Sequence, residues 1–326
     1  MTTLTPQGTT LETQVEPTIG EPGRPVTRRG RGRRSDTGMG RANNLIPWLY
    51  LLVPLALLIT FVYVPVGNLF YYSVTNWDGI TPNPPLVGTA NYREIFTNSE
   101  YFDVFKVGLY YFVGAIFQIC IALYFATILS FKVRLRNFWK GVLFFPYLIN
   151  GVAISFIFLY LFQPGGTLDA TLRLFGYHNN LLWLGNPHAA NISLASVSVW
   201  RYMGLNFVLF LGAIESIPKD LYEASDLDGA SRWHQFRYII APAIRPIISL
   251  SVILGIAGSL AVFEVPYIMT GGANGTSTFV IQTIQTAFQF QQVGLASALA
   301  VVLLAIVLLV TWAQRVLTHA EDVDLS

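Results

Sequence analysis

Residues 222–246 read YEASDLDGASRWHQFRYIIAPAIRP and form a polar segment of mixed charge between two strongly apolar stretches. Apolar residues recur at helical spacing on either side of Gly229, first at Leu221, Ala224 and Leu227 and then at Trp233, Phe236 and Ile240. Each set predicts a short amphipathic helix. Gly229 is expected to end the first helix, and Pro242 and Pro246 to end the second. The stretch therefore predicts a helix, a glycine elbow and a helix, which suits the groove of a soluble partner. An ordinary surface loop is the alternative.

The composition of the chain is typical of a membrane protein. Of its 326 residues, 53% are hydrophobic and only 12% are charged, and the mean hydropathy is +0.51. Soluble domains carry about twice that share of charged residues. Long apolar stretches in such a chain indicate α-helices that cross the bilayer, because every backbone polar group in lipid must be satisfied within the segment.

Six apolar stretches are each close to the roughly 20 residues that a membrane-spanning helix needs. They run from Leu45 to Tyr72, Phe105 to Phe131, Gly141 to Phe162, Ile192 to Ile214, Ile247 to Met269 and Val293 to Ala313. They predict an all-α polytopic protein with about six transmembrane helices in one domain, residues 45–315. An even number of spans places both chain ends on the same side of the membrane.

Basic residues predict the orientation of these helices. Two connections between predicted helices, the second-to-third and the fourth-to-fifth, hold eight of the 20 basic residues: Lys132, Arg134, Arg136, Lys140, Lys219, Arg232, Arg237 and Arg245. The connections on the opposite side carry little beyond Arg93 and Arg173. Because cytoplasmic connections are enriched in Lys and Arg, both termini and residues 222–246 are expected to be cytoplasmic.

The two chain ends are predicted to be tails. Residues 1–44 are rich in Thr, Pro, Gly and Arg and have almost no side chains for a core, so a disordered basic tail is expected. Arginines just before a first span are typical of a topology signal rather than of a nucleic-acid site, and they can also contact anionic membrane lipid. Residues 316–326 are expected to form a short cytoplasmic C-terminal tail.

Within residues 217–246, the side chains resemble the EAA loop of ABC-transporter permease subunits, whose pattern is Glu-Ala-Ala, three residues, Gly, and later Ile-x-Leu-Pro. The matching positions are Glu223, Ala224, Asp228, Gly229, Ala230, Phe236, Ile239 and Pro242. The chain departs from the pattern at Ser225, where a second Ala is usual, and at Ala241, where Leu usually precedes the Pro. Residues 263–299 also resemble the fifth helix, outer loop and sixth helix of sugar permeases. The resemblance covers most of the chain after the tail.

This resemblance implies the permease subunit of a type I ABC importer of the carbohydrate-uptake family, similar to maltose and glycerol-phosphate permeases. It implies a second permease subunit, two ATPase subunits, an extracytoplasmic solute-binding protein and a sugar as partners, in a bacterial cell membrane. ATP and Mg²⁺ would be held by the ATPase subunits, so no cofactor is expected in this chain. Glu223 is expected to contact the ATPase groove, and Gly229 to form the elbow of a rigid lever.

Enzymatic motifs do not emerge from the sequence. The stretch GGANGTST at residues 271–278 lacks the Gly-Lys-Ser/Thr end of a P-loop. The histidines are scattered, without a carboxylate or a second His at metal-ligand spacing: His178, His188, His234 and His319. The chain is therefore not expected to be an enzyme on its own.

Polar side chains inside the predicted helices are candidates for a transport pathway, because a charge near the bilayer centre costs about 2.5–3.5 kcal/mol. Arg201 and Glu264 lie a few residues from the outer ends of their helices and could pair or line one cavity. Asn150 and Asn206 lie deeper, and Trp200 and Tyr267 could stack on a sugar ring. Simple helix packing, with aromatic residues marking the membrane interface, is the alternative for these residues.

Two other classes of function compete with an importer subunit. A secondary transporter predicts ion relays and inverted repeats, and no convincing repeat is found. A membrane scaffold or sensor predicts an essential basic tail. Among importers, a phosphate-bearing substrate would favour several cations in the pathway, and Arg201 is nearly alone, so neutral sugars are preferred.

Overall fold

The computed structural model describes residues 45–131, 133–176 and 181–322, and its regular secondary structure over these ranges is helical. The predicted disordered tail, residues 1–44, lies outside the described residues. By compactness the chain divides into two units, Met1–Ala56 and Leu57–Ser326. The described part of the first unit is the start of the first helix, and all later helices belong to the second unit.

The helices are α1 (Leu45–Leu58), α2 (Val64–Ser73), α3 (Ala90–Thr97), α4 (Glu100–Asp103), α5 (Phe105–Ser130), α6 (Arg136–Leu148), α7 (Gly151–Phe162), α8 (Thr167–Leu174), α9 (Pro187–Glu215), α10 (Lys219–Leu227), α11 (Arg232–Gln235), α12 (Ala241–Ala243), α13 (Arg245–Leu260), α14 (Glu264–Thr270), α15 (Phe279–Phe288) and α16 (Val293–Asp322). Two π-helical turns, Ile59–Tyr63 and Phe236–Ile240, join α1 to α2 and α11 to α12.

Five helical stretches within the described ranges are long and apolar enough to cross a membrane: Tyr50–Ser73, Glu100–Ser130, Pro187–Glu215, Arg245–Thr270 and Val293–Val316. A sixth span is formed if the bent pair of α6 and α7 is counted as one. The prediction of an all-α protein with about six spans is therefore confirmed. The sixth helix runs beyond the predicted end at Ala313, so residues 316–322, which were expected in a short tail, continue α16.

The third predicted span, Gly141 to Phe162, is built from two helices rather than one. α6 and α7 meet at an angle of 94°, and the two residues between them are not helical: Ile149 is extended, and Asn150 has φ −57° and ψ 136°. Asn150 starts the new helix because its Oδ1 accepts a hydrogen bond from the backbone N–H of Val152 at 2.8 Å, which caps α7. The predicted fifth helix is also interrupted, at residues 261–263 between α13 and α14.

A short helix, α8, lies between α7 and α9. Asp169 anchors it by accepting hydrogen bonds from the indole N–H of Trp183 at 2.9 Å and from the backbone N–H of Gly165 at 2.7 Å. These two donors favour the carboxylate and hold the pKa of Asp169 below its usual range. The side chain is buried, so the contacts fix both ends of this connection.

The main apolar core of the second unit is formed where α5 packs along α9. Phe207 and Phe210 of α9 are fully buried against small residues of α5, such as Ala122 and Ala126. α6 packs on another side of α9, and Gly204 permits this close approach. A Cβ at Gly204 would lie 2.6 Å from the carbonyl oxygen of Leu143. The backbones of α6 and α9 therefore touch at a position where only glycine fits.

Replacing Gly204 by Ala should destabilise the protein by about 1–3 kcal/mol, because the added methyl group forces α6 away from α9. Gly212 is the matched control, since it lies on the same helix and a Cβ added there would have no described atom within 4 Å. Gly212→Ala should leave the unfolding temperature unchanged or raise it, as alanine favours helices. Thermal unfolding of the purified variants in detergent measures both effects, and equal melting of Gly204→Ala and Gly212→Ala would contradict the close approach.

Candidate functional site

The segment from Ile217 to Pro246, hereafter the coupling loop, folds as two helical pieces joined at Gly229. α10 ends in a Schellman motif: the N–H of Ala230 donates to the carbonyl of Ser225 at 2.9 Å, and that of Gly229 to the carbonyl of Asp226 at 3.2 Å. Gly229 has a φ of +73°, a left-handed conformation that side chains resist. Ser231 then caps α11. The predicted glycine elbow is present.

Pro242 does not end the second helix, contrary to the prediction. The π-helical turn Phe236–Ile240 widens the helix, and the N–H of Ala241 bonds to the carbonyl of Phe236, five residues earlier. A widened turn changes the hydrogen-bond register just where proline lacks an N–H, so the helix continues through α12. It ends at Ile244, and Pro246 lies in the first turn of α13, where proline is favoured.

One side of the coupling loop is packed into the core and the other is exposed. Ile240 and Ile244 are fully buried in the α5–α9 core, and Tyr222 and Phe236 pack against it. Several residues instead face away from the described part of the chain: Leu221, Glu223, Ala224, Leu227, Asp228 and Trp233. Leu227 is 89% exposed and Trp233 is 63% exposed. Of the residues expected to match the EAA pattern, Phe236 holds the loop in place, while Glu223 and Ala224 lie on an apolar and acidic outer surface.

A second candidate site is a cavity of about 490 Å³ between α5, α9 and the α13–α14 break. Among the predicted pathway residues, Arg201, Asn206 and Glu264 line it. Sequence reasoning missed six further polar residues of the lining: Tyr111, Gln118, Ser198, Tyr202, Ser251 and Ser259. Tyr111 and Gln118 are polar positions in an apolar helix, and weighing α5 by the same rule as α9 would have found them.

Arg201 and Glu264 form an ion pair in this lining, with Nη1 and Oε2 2.6 Å apart. The sequence predicted that they could pair, but it placed Arg201 near a helix end, whereas it lies near the middle of α9. Gly151, the first residue of α7, packs directly on the pair, and a Cβ there would overlap both charged groups. The pair therefore joins three spans: the bent third, the fourth and the interrupted fifth.

The cavity wall offers hydrogen-bonding groups to a polar molecule. Tyr111 Oη, Arg201 Nε and Ser251 Oγ are buried and make no hydrogen bond to another described residue. Because an unsatisfied buried polar group costs about 1–3 kcal/mol, such groups favour a hydroxylated occupant. Among the described residues of the lining, the charged side chains are Arg201 and Glu264, and they compensate each other.

The other three predicted pathway residues lie outside the cavity lining. Asn150 is occupied as the cap of α7. Trp200 packs edge-on against Phe158, with ring centroids 5.3 Å apart. Tyr267 stacks on Phe263, with centroids 4.8 Å apart. The fold thus brings Arg201, Glu264 and Asn206 together in the cavity lining. It leaves the two aromatic candidates, Trp200 and Tyr267, outside that lining.

Metal-binding clusters are not found over residues 45–131, 133–176 and 181–322: no three His, Cys, Asp or Glu side chains there could hold a metal ion. His188 is hydrogen-bonded to Tyr110, with Nδ1 and Oη 2.6 Å apart, and His234 to Ser231. His178 lies outside the described residues. The geometry is that of a helical membrane protein with a polar cavity and an exposed surface loop.

Residues 118–321 match the family described as binding-protein-dependent transport system inner membrane component. The chain belongs to this family, and the resemblance seen in the sequence is confirmed.

One relative is a probable starch degradation products transport system permease protein, AmyD, of Thermoanaerobacterium thermosulfurigenes. It is 30% identical over 87% of this chain and 97% of its own length. Two solved structures have the same fold, one of a bacterial ABC transporter that imports alginate and one of an alginate transporter in complex with a substrate-bound periplasmic protein. The first structure matches with a TM-score of 0.76 at 18% sequence identity, and the match covers 86% of this chain and 96% of the other chain. The second matches with a TM-score of 0.74 at 19% sequence identity, and the match covers 84% of this chain and 93% of the other chain.

Gly151→Ala should weaken the Arg201–Glu264 pair, because the added methyl group occupies space that both charged groups use. We expect a loss of about 1–3 kcal/mol of unfolding free energy, the usual cost of overpacking. Gly141→Ala in the same bent span is the control, since a Cβ there meets no described atom within 4 Å. Thermal unfolding in detergent distinguishes the two variants, and a Gly151→Ala protein as stable as the control would argue against the packing of the glycine on the pair.

The elbow at Gly229 constrains backbone conformation rather than space, since a Cβ added to this glycine would have no described atom within 4 Å. Gly229→Asn should therefore be tolerated, because Asn visits left-handed conformations readily, whereas Gly229→Val should cost about 1–2 kcal/mol or more. Limited proteolysis of the coupling loop in the two variants measures local opening. Cleavage at the same rate in both variants would show that the turn does not depend on the left-handed conformation of residue 229.

Proposed function

We propose that this chain is the membrane permease subunit of an ATP-driven, binding-protein-dependent importer of sugars. Family membership supports a transport subunit, and AmyD and the alginate transporters support a carbohydrate substrate. The observation that carries the proposal is the direct connection of the two sites: α9 ends just before the coupling loop, α13 begins in the last two residues of the loop, and both helices line the cavity. The chain itself would then carry no catalytic activity.

The proposed assembly contains a second permease subunit, two ATPase subunits that hold ATP and Mg²⁺, and an extracytoplasmic binding protein. The structure of an alginate transporter bound to its periplasmic protein supports the last of these partners. The distribution of basic residues supports a multi-pass protein of the bacterial cell membrane with both termini in the cytoplasm. The coupling loop then lies on the cytoplasmic side.

In the proposed mechanism, closure of the ATPase subunits pushes on the exposed surface around Glu223, and the loop transmits the movement to α9 and α13. The cavity would open alternately to the two sides of the membrane as the population of the two states shifts. The ion pair leaves the cavity without net charge, which favours a neutral sugar over glycerol phosphate. Polar side chains such as Gln118 and Asn206 are suited to bind its hydroxyl groups.

Purification of a tagged chain from its native membranes, with the wild type beside Glu223→Ala, tests this proposal. We expect an ATPase subunit to co-purify with the wild type and to be weakened about tenfold or more in the variant, because Glu223 lies on the exposed docking surface. Asp220→Ala is the matched control, an exposed acidic residue of the same helix α10 outside the EAA pattern. A chain that purifies alone and transports solute in liposomes without ATP would instead be a secondary transporter.

A further inference from the structure

We propose that Gln235 is a positioning residue for energy coupling: its buried amide fastens the two helices of the coupling loop to each other so that they move as one body. This inference rests on the proposed function, because it concerns how the loop transmits a push from the ATPase subunits. Neither the EAA pattern nor the apolar stripes of the loop point to this residue.

Gln235 is fully buried and reaches across the elbow. Its Nε2 donates hydrogen bonds to Ser225 Oγ at 2.8 Å and to Asp226 Oδ1 at 2.7 Å, both on α10. Its Oε1 accepts a hydrogen bond from Arg232 Nη1 at 2.7 Å. The amide is thus satisfied at both ends, and two of its three bonds involve a charged partner, which makes them stronger than neutral bonds.

The elbow needs such a fastening because its backbone alone does not fix the angle between the helices. The Schellman bonds hold the end of α10, but they do not reach α11. No described side chain packs where a Cβ of Gly229 would lie. Polar side-chain contacts cross the elbow instead: Gln235 bonds to Ser225 and Asp226, and Arg232 pairs with Asp226 at 3.6 Å.

The network also accounts for the departure of this chain from the EAA pattern. Ser225 stands where the second alanine is usual, and its Oγ accepts from Gln235 while donating to the carbonyl of Tyr222 at 2.8 Å. Alanine at this position would leave one donor of the buried amide short of an acceptor. Ser225 therefore supplies an acceptor that the buried amide of Gln235 requires.

The fastened loop is connected to the membrane helices at two points. Phe236 follows Gln235 directly and packs into the α5–α9 core, on the path to α13. The guanidinium of Arg232 lies over the ring of Phe131 at the end of α5, 4.7 Å from its centroid. A push on α10 is thus passed through Gln235 to α11 and from there to α13 and α5. Without the amide, α10 could tilt about Gly229 without moving α11, α13 and α5.

The test exchanges the hydrogen-bond donor and acceptor between residues 235 and 226 while the shapes of both side chains are kept. Gln235→Glu has nearly the same volume but brings a second carboxylate against Asp226, so the crossing bond becomes a repulsion. Adding Asp226→Asn restores the bond with its direction reversed, since the new amide donates to the new carboxylate. Asp226→Asn alone is the control, because its amide oxygen still accepts from Gln235. Ser225→Ala is a milder second variant that removes a single acceptor.

The readout is the response of the assembled transporter to ATP, which requires no knowledge of the sugar. Cys120 is the single cysteine of the chain and is replaced by Ser. A reporter thiol is introduced by Ser198→Cys in the cavity lining. Its rate of labelling by a charged thiol reagent is measured in purified complexes in proteoliposomes, with and without ATP and vanadate. Co-purification of the ATPase subunit and its rate of ATP hydrolysis are recorded for every variant.

We expect all variants to retain the ATPase subunit, because the exposed docking surface is unchanged. The ATP-induced change in labelling should fall about tenfold in Gln235→Glu, as expected for loss of one charge-assisted hydrogen bond, and a few-fold in Ser225→Ala. It should recover in the double variant to the level of Asp226→Asn alone, which should lie only a few-fold below the wild type because a neutral hydrogen bond replaces a charge-assisted one.

The possible failures are distinguishable. A normal ATP response in Gln235→Glu, with the ATPase subunit bound, would overturn the role of Gln235 and leave the proposed function standing. A response lost in Gln235→Glu and not recovered in the double variant would also overturn it, since the amide would then be a packing element only. Absence of any ATPase subunit from the wild-type preparation would overturn the proposed function and this inference together.

Discussion

A charge inside an apolar helical protein must be compensated, and the Arg201–Glu264 pair is where this chain meets that requirement. The pair needs α9, α14 and the start of α7 to come close to one another, and Gly151 is the residue that leaves room for it. Both interruptions in the predicted spans, between α6 and α7 and between α13 and α14, lie next to the pair. The ion pair and the α13–α14 break form part of the cavity wall, and the α6–α7 break packs against the pair through Gly151.

The coupling loop is related to this cavity by continuous helix. Arg201 and Asn206 lie on α9, whose last residue, Glu215, is two residues from the loop and accepts hydrogen bonds from Arg136 and Lys140 in the first turns of α6. Ser251 lies on α13, which begins inside the loop. Arg136 and Lys140, which were interpreted from the sequence as orientation signals, therefore also hold the end of α9 in place. A displacement of the loop is transmitted along rigid helices to residues that face the cavity.

Much of this organisation could be read from the sequence because it depends on local patterns. Apolar length predicted the spans, and the order around Glu223 and Gly229 predicted the elbow and the family. The failures have a common cause. Pro242 was read as a stop because the rule assumes an ordinary α-helix, whereas a π-helical turn accommodates it. The pathway role of Asn150 stays a prediction, and the use of its Oδ1 as the cap of α7 was not predicted from the sequence. Gln235 gave no signal at all, since its partners lie across the elbow.

The sequence by itself determined the class of the protein, the number of spans and the position of the loop, because hydropathy, helical periodicity and a glycine with positive φ act over a few neighbouring residues. The tertiary structure alone decided which polar residues share a cavity, where two spans break and how the loop is fastened. Those outcomes depend on side chains that are far apart in the chain and must satisfy one another's charges and hydrogen bonds once water is excluded.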